Sequence, residues 1–74
     1  MEKHDEELIR SLLDKDGELR QYYEEHVALE KQLATFQHKH YLTPEEEIEK
    51  KRIQKLKLAG KDRIMGILDK YRSH

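Results

Sequence analysis

The chain has 74 residues, with 15 Lys and Arg against 16 Asp and Glu, and its formal net charge is −1. Charged residues make up 42% of the sequence and apolar residues only 35%, which excludes a thick, many-layered core. The absence of cysteine excludes disulfides, thiolate zinc sites and a cysteine nucleophile. Because a chain this short buries only a small core, it needs long helices, a second copy, or both.

The first predicted helix covers about residues 5–14, where Leu8 and Leu12 begin an apolar stripe. The sequence from Asp14 to Gly17 interrupts this stripe. A glycine costs about 1 kcal/mol in a helix interior, and Asp16 is a good N-cap for a following helix. We therefore expect a break or kink near Gly17.

A second helix is predicted over about residues 17–38, because its apolar side chains recur at spacings of three and four. This spacing places them on one helical stripe, which we call the seam of the second helix. Its members are Leu19, Tyr22, His26, Leu29 and Leu33.

The third helix is predicted over about residues 44–71, after a turn at 39–43. Thr43 can cap the helix, Pro44 takes its first position, and Glu46 stands where the acid of a capping box belongs. One face of this helix carries its seam: Ile53, Leu56, Gly60, Ile64, Ile67 and Tyr71.

The two seams match as the arms of an antiparallel hairpin. Facing residues in such a hairpin have a constant sum of residue numbers, and Tyr22 with Gly60, like His26 with Leu56, gives 82, twice the number of Tyr41 in the predicted turn. This register also places the large Tyr22 opposite the small Gly60, as close packing favours. The sequence therefore predicts one all-α domain over residues 1–74, an antiparallel, coiled-coil-like helical hairpin with a short N-terminal helix.

The third helix is longer than the second, so its C-terminal apolar residues need another cover. The first helix offers Leu8, Ile9, Leu12 and Leu13 for this purpose.

The sequence resembles the YdcH-like family of small bacterial proteins, a domain of unknown function. The resemblance covers about residues 8–70 and rests on Leu19, Tyr22, His26, Leu29-Glu30, Leu33, Lys57-Leu58, Lys61-Asp62, Ile64 and Ile67-Leu68. Gly17 stands where relatives often carry a proline, and Gly60 departs from the leucine that is usual there. The resemblance implies a helical hairpin and no established activity.

The sequence predicts no catalytic, metal or cofactor site. His38 and His40 are only two residues apart and have no obvious third ligand, which favours solvated turn histidines. The carboxylates are expected on exposed helix faces, where no water-poor pocket can form. We therefore expect no enzyme activity, no cofactor and no small-molecule substrate.

His26 is different because it lies on the seam. We favour a ring whose body is buried and whose nitrogen reaches the rim of the hairpin. The alternative is a polar seam residue that fixes the helix register and responds to pH.

A second apolar set flanks the seam, and either the first helix covers some of it or it contacts another molecule. Its members are Tyr23, Val27, Leu58 and Met65, which we name the candidate interaction surface. The sequence thus predicts a non-enzymatic interaction module that forms a homo-oligomer or docks on a partner helix.

The alternative function is nucleic-acid binding by the basic stretch from Lys50 to Lys61. We rank it lower, because the acidic second helix is expected beside this stretch and the net charge is −1. The N-terminus is acidic, and the longest nearly apolar run, 64–68, is far short of the roughly 20 residues of a membrane span. We expect a cytoplasmic location and no membrane association.

Overall fold

The structure, a computed structural model, describes residues 2–73 and forms three helices, with no strand among these residues. Helix α1 is Lys3–Leu12, helix α2 is Gly17–Gln37, and helix α3 is Pro44–Arg72. Helices α2 and α3 lie along each other, and α1 contacts both of them. The all-α hairpin with a short N-terminal helix that the sequence predicts is confirmed.

Side-chain caps start the two long helices. The Asp16 carboxylate accepts a hydrogen bond from the backbone N–H of Leu19, at 3.0 Å, and so begins α2. Thr43 and Glu46 form a capping box at the start of α3, with each side chain accepting from the other's backbone N–H at 3.1 Å. These bonds satisfy amides that would otherwise lack partners at a helix start.

Helix α1 ends at Leu12 rather than near residue 14. The carbonyl of Leu12 accepts from the backbone N–H groups of both Lys15 and Asp16, at 2.9 and 2.8 Å. These bonds close a tight turn and bring Asp16 into position to cap α2. The residues after Leu12 that the sequence pattern assigns to the first helix therefore belong to this turn.

The main core lies at the open end of the hairpin, where all three helices meet. Helix α3 has 29 residues and α2 has 21, so α3 extends past α2 and α1 packs against this extension. The buried cluster there consists of Ile9, Leu12, Leu19, Ile64, Ile67 and Leu68. Burial of such a side chain stabilises a fold by about 1.5–3 kcal/mol.

Two predicted seam residues lie outside the core. Leu56 is 46% exposed and Tyr71 is 42% exposed. The neighbouring Lys57 is half-buried at the edge of the hairpin, and its amine lies 3.4 Å from the Glu30 carboxylate on α2. Tyr71 lies beyond the start of α2, so no residue of α2 can face it. The other predicted seam residues are buried or half-buried.

The predicted packing of Tyr22 onto Gly60 is also wrong. A Cβ atom added at Gly60 would meet no heavy atom within 4 Å outside its own helix. The Tyr22 ring instead lies under the Arg63 guanidinium, 5.5 Å from the ring centroid, which is a cation–π geometry. The cation holds the ring toward the flank of the hairpin, and Gly60 stays open.

Gly66→Ala should stabilise the protein. Gly66 is exposed in the middle of α3 and has no neighbour within 4 Å of an added Cβ, so alanine gains helix propensity without a clash. We expect the free energy of unfolding to rise by about 1 kcal/mol, measured by urea unfolding followed by circular dichroism. A loss of stability would show that α3 is bent or closely packed at this position.

Candidate interaction surfaces

The structure divides the candidate interaction surface of Tyr23, Val27, Leu58 and Met65. Tyr23 and Met65 are half-buried and pack against the core cluster at the open end, where α1 contributes. Val27 is also half-buried. Leu58 is 62% exposed. Tyr23 and Met65 therefore contribute to the core, Tyr23 and Val27 also border an open space of about 470 Å³ beside α1, and Leu58 is the member most exposed to solvent.

Leu58 borders a groove along one flank of the hairpin, which we name the lysine groove. It has a volume of about 530 Å³. Its lining residues are His26, Glu30, Leu33, Gln37, Lys50, Gln54, Lys57, Leu58 and Lys61. The Glu30 carboxylate lies 3.4 Å from the Lys57 amine, so an ion pair joins α2 to α3 across this groove. Three lysines and one carboxylate make the groove basic and polar.

His26 lies at the inner edge of the lysine groove, with its side chain 7% exposed. Its Nε2 is 3.1 Å from the Glu30 carboxylate, one turn further along α2. The other ring nitrogen, Nδ1, is buried as well. No partner within residues 2–73 reaches this buried Nδ1. The ring is therefore buried in the hairpin, with Nε2 close to the Glu30 carboxylate and Nδ1 without a partner among the described residues.

A second groove, on the opposite flank, is mostly apolar, and we name it the leucine groove. It has a volume of about 400 Å³. Its lining residues are Tyr22, Glu25, Ala28, Leu29, Gln32, Leu56, Ala59, Gly60 and Arg63. Small residues form much of its surface, and the open site at Gly60 lies within it. The α2 wall carries the acid Glu25, and the α3 wall carries the base Arg63.

The junction of the three helices is held by polar contacts that the sequence pattern does not reveal. The Tyr71 hydroxyl donates to Asp16 at 2.7 Å, so the residue that caps α2 also binds the C-terminal turn of α3. Arg72 forms an ion pair with Asp5 of α1. Hydrogen bonds from the Leu19 amide and from Tyr71 lower the pKa of Asp16, and the bond to Asp16 raises the pKa of Tyr71.

The basic stretch on α3 is only partly neutralised. Arg52 pairs with Glu49 on its own helix, and Lys57 pairs with Glu30. Within residues 2–73, no carboxylate lies within ion-pair distance of Lys50, Lys51, Lys55 or Lys61. The expected pairing of the acidic and basic arms thus occurs at one cross-helix contact and leaves these four lysines free.

Among the described residues, no group of three or more His, Cys, Asp and Glu side chains is arranged to hold a metal ion. His38 and His40 are exposed, at the end of α2 and in the following turn. None of the helices within residues 2–73 has an apolar stretch long enough to cross a bilayer.

Comparisons with known proteins give no relative for this chain: no family model, no curated protein and no solved structure matches it. The resemblance to the YdcH-like family therefore stays a prediction.

The sequence pattern does not predict the leucine groove, because the helical stripe places Leu56 in the interior. A signal for it was present, since Leu56 and Leu58 are separated by about 200° around a helix and cannot lie on the same flank. The contact between Tyr71 and Asp16 had no such signal, because the residues are 55 positions apart and both are common at helix ends.

The Asp16 contacts predict an acid-dependent loss of stability. Because the folded-state pKa lies below the ordinary value of 3.8, the contribution is fully present above 3.8 and is lost as pH falls through the lower folded value. Asn at position 16 can still cap the helix but does not titrate, so Asp16→Asn should show a smaller acid loss in urea unfolding. Tyr71→Phe removes one of the two main donors and should give an intermediate slope. Identical slopes in all three proteins would contradict the contacts.

His26→Leu should stabilise the protein, because it removes a buried nitrogen without a partner and puts an apolar side chain in a buried position. We expect a gain of about 1 kcal/mol in the free energy of unfolding, measured by urea unfolding. His40→Leu is the control, since His40 is exposed and its replacement should give no gain. A clear loss in His26→Leu would instead support the register role for the histidine.

Proposed function

We propose that the protein is a non-enzymatic helical interaction module that associates with a second copy or docks on a partner helix. The observation that carries this proposal is the incomplete cover of the hairpin. Helix α1 packs at the open end, while apolar side chains further along α3 remain exposed on both flanks, with Leu56 at 46% and Leu58 at 62%.

The size of the core supports the same proposal. The buried apolar side chains are Ile9, Leu12, Leu19, Ile53, Ile64, Ile67 and Leu68. A core of this size in so short a chain supplies only about 3–5 kcal/mol, so contact with another helix would add stability where the hairpin is open. Both grooves are open surfaces along the helices rather than the enclosed pockets that catalysis requires. The cytoplasmic location expected from the sequence stays a part of this proposal.

Nucleic-acid binding is the second candidate, and the lysine groove is the observation that favours it. Lys50, Lys57 and Lys61 line one flank and could track a phosphate backbone. Glu30 lies among them and pairs with Lys57, which weakens the positive potential. Binding of an oligonucleotide at low salt that weakens steeply with added salt would favour this candidate over the first.

Self-association can be tested directly by sedimentation or light scattering over a dilution series. We expect the average mass to rise with concentration above the 9.0 kDa of one chain, because association covers the exposed apolar flank. The mass of one chain at every concentration from low to high micromolar would exclude self-association and leave docking on a different protein, or the nucleic-acid candidate, as the function.

A further inference from the structure

We infer that the leucine groove is the contact surface for a second copy of this chain, and that α2 of each copy lies against α3 of the other. This inference rests on the proposed function and names its surface and partner. The product is a four-helix bundle of two hairpins, with a two-fold axis parallel to the helices.

The two grooves differ in what they offer to a helix. In the lysine groove, an ion pair between Glu30 and Lys57 bridges the two helices, and polar side chains occupy much of the lining. The leucine groove has Leu29 and Leu56 beside Ala28, Ala59 and Gly60. Small residues let a second helix approach closely, and the exposed Leu56 gains cover. The leucine groove is therefore the better surface for helix packing.

The charges on its two walls select a second copy as the occupant. Glu18 and Glu25 are exposed on the α2 wall, one heptad apart, and Arg63 is exposed on the α3 wall. None of the three has an ion-pair partner within residues 2–73. A second copy presents the same acidic wall and the same basic wall, so the surface is complementary to itself in one orientation.

The orientation follows from this symmetry. A two-fold axis parallel to the helices places the acidic α2 wall of each copy against the basic α3 wall of the other. An axis perpendicular to the helices stacks α2 on α2 and so places the two acidic walls, with Glu18 and Glu25, against each other, which is repulsive. In the first arrangement, equivalent residues of the two copies also lie at the same position along the helix axis. Arg63 lies beside Tyr22, within about one helical turn of both Glu18 and Glu25, so it is at the right level to meet these acids of the other copy.

The hairpin extends 47 × 20 × 17 Å. The roughly 800 Å² per partner that a specific interface buries is most of one long side of this shape, so the dimer contact must run along the flank beyond the leucine groove itself.

Leu56→Glu and Leu58→Glu form a matched pair for the test. The residues are two positions apart on α3, both are exposed, and they border opposite grooves. Sedimentation equilibrium should show that Leu56→Glu weakens the dimer by roughly 100-fold or more, because a carboxylate is then buried in an apolar contact. Leu58→Glu should leave the dissociation constant nearly unchanged. Circular dichroism should show the same helical content for both variants.

A charge exchange tests the orientation and does not depend on Leu56. Glu25→Arg and Arg63→Glu should each weaken the dimer roughly tenfold at low salt, because each change creates two like-charge contacts in a symmetric dimer. The double variant should recover most of the wild-type affinity. No recovery in the double variant would overturn the proposed orientation.

The outcomes separate this inference from the proposed function. A wild-type protein that stays monomeric at all concentrations overturns both self-association and the leucine-groove dimer. A dimer that Leu58→Glu disrupts and Leu56→Glu does not would overturn the leucine groove alone and move the contact to the lysine groove. If neither of the two leucine variants nor the charge exchange affects the dimer, the contact lies elsewhere on the chain and self-association still stands.

Discussion

The unequal length of the two hairpin arms is the constraint on which the rest of the structure depends. Helix α3 has 29 residues and α2 has 21, so about two turns of α3 have no partner in the hairpin. Helix α1 must fold back to cover them, and the core therefore gathers at the open end. Polar contacts hold the same extension of α3, because Tyr71 binds Asp16 and Arg72 binds Asp5 at its C-terminal end.

This arrangement leaves the stability of the hairpin uneven along its length. Toward the turn, Ile53 is the fully buried apolar side chain, and it lies outside the main core cluster. Local polar contacts hold this end instead: the capping box of Thr43 and Glu46, and the ion pair of Glu46 with Lys39. These contacts also lower the pKa of Glu46. Because the contacts are exposed and few apolar groups are buried there, the turn end should open more readily than the core end.

The sequence predicts the features that depend on local chemistry or on helical period. The N-caps at Asp16 and Thr43 follow from residue type and position, and the hairpin follows from two stripes of matching register. The positions of residues on the flanks are harder to predict, because a helical stripe at about 100° per residue does not show which of the residues at its edges turn inward. Leu56 and Lys57 show this limit, since Leu56 is exposed while Lys57 is half-buried through its long stem and its ion pair with Glu30. Contacts between helix ends, such as Tyr71 with Asp16, have no periodic signal and require the three-dimensional arrangement.

The two flanks differ in how the acidic residues of α2 and the basic residues of α3 are used. Where an acid and a base of the two helices reach each other, as Glu30 and Lys57 do, the pair closes the flank with polar groups. On the other flank Arg63 binds the Tyr22 ring instead of a carboxylate, and Glu25 stays unpaired within the described residues. A cation over an aromatic face keeps its outer side free to bind a second group, whereas a closed ion pair is largely satisfied. On this flank Leu56 is exposed and Gly60 is uncovered, and the unpaired charges of Glu25 and Arg63 are opposite in sign. The unpaired charges of the lysine groove, on Lys50 and Lys61, have one sign and would repel the same groove of a second copy. For this reason the proposed contact with a second copy falls on the leucine groove, whereas in the lysine groove the ion pair of Glu30 and Lys57 joins the two helices of one chain.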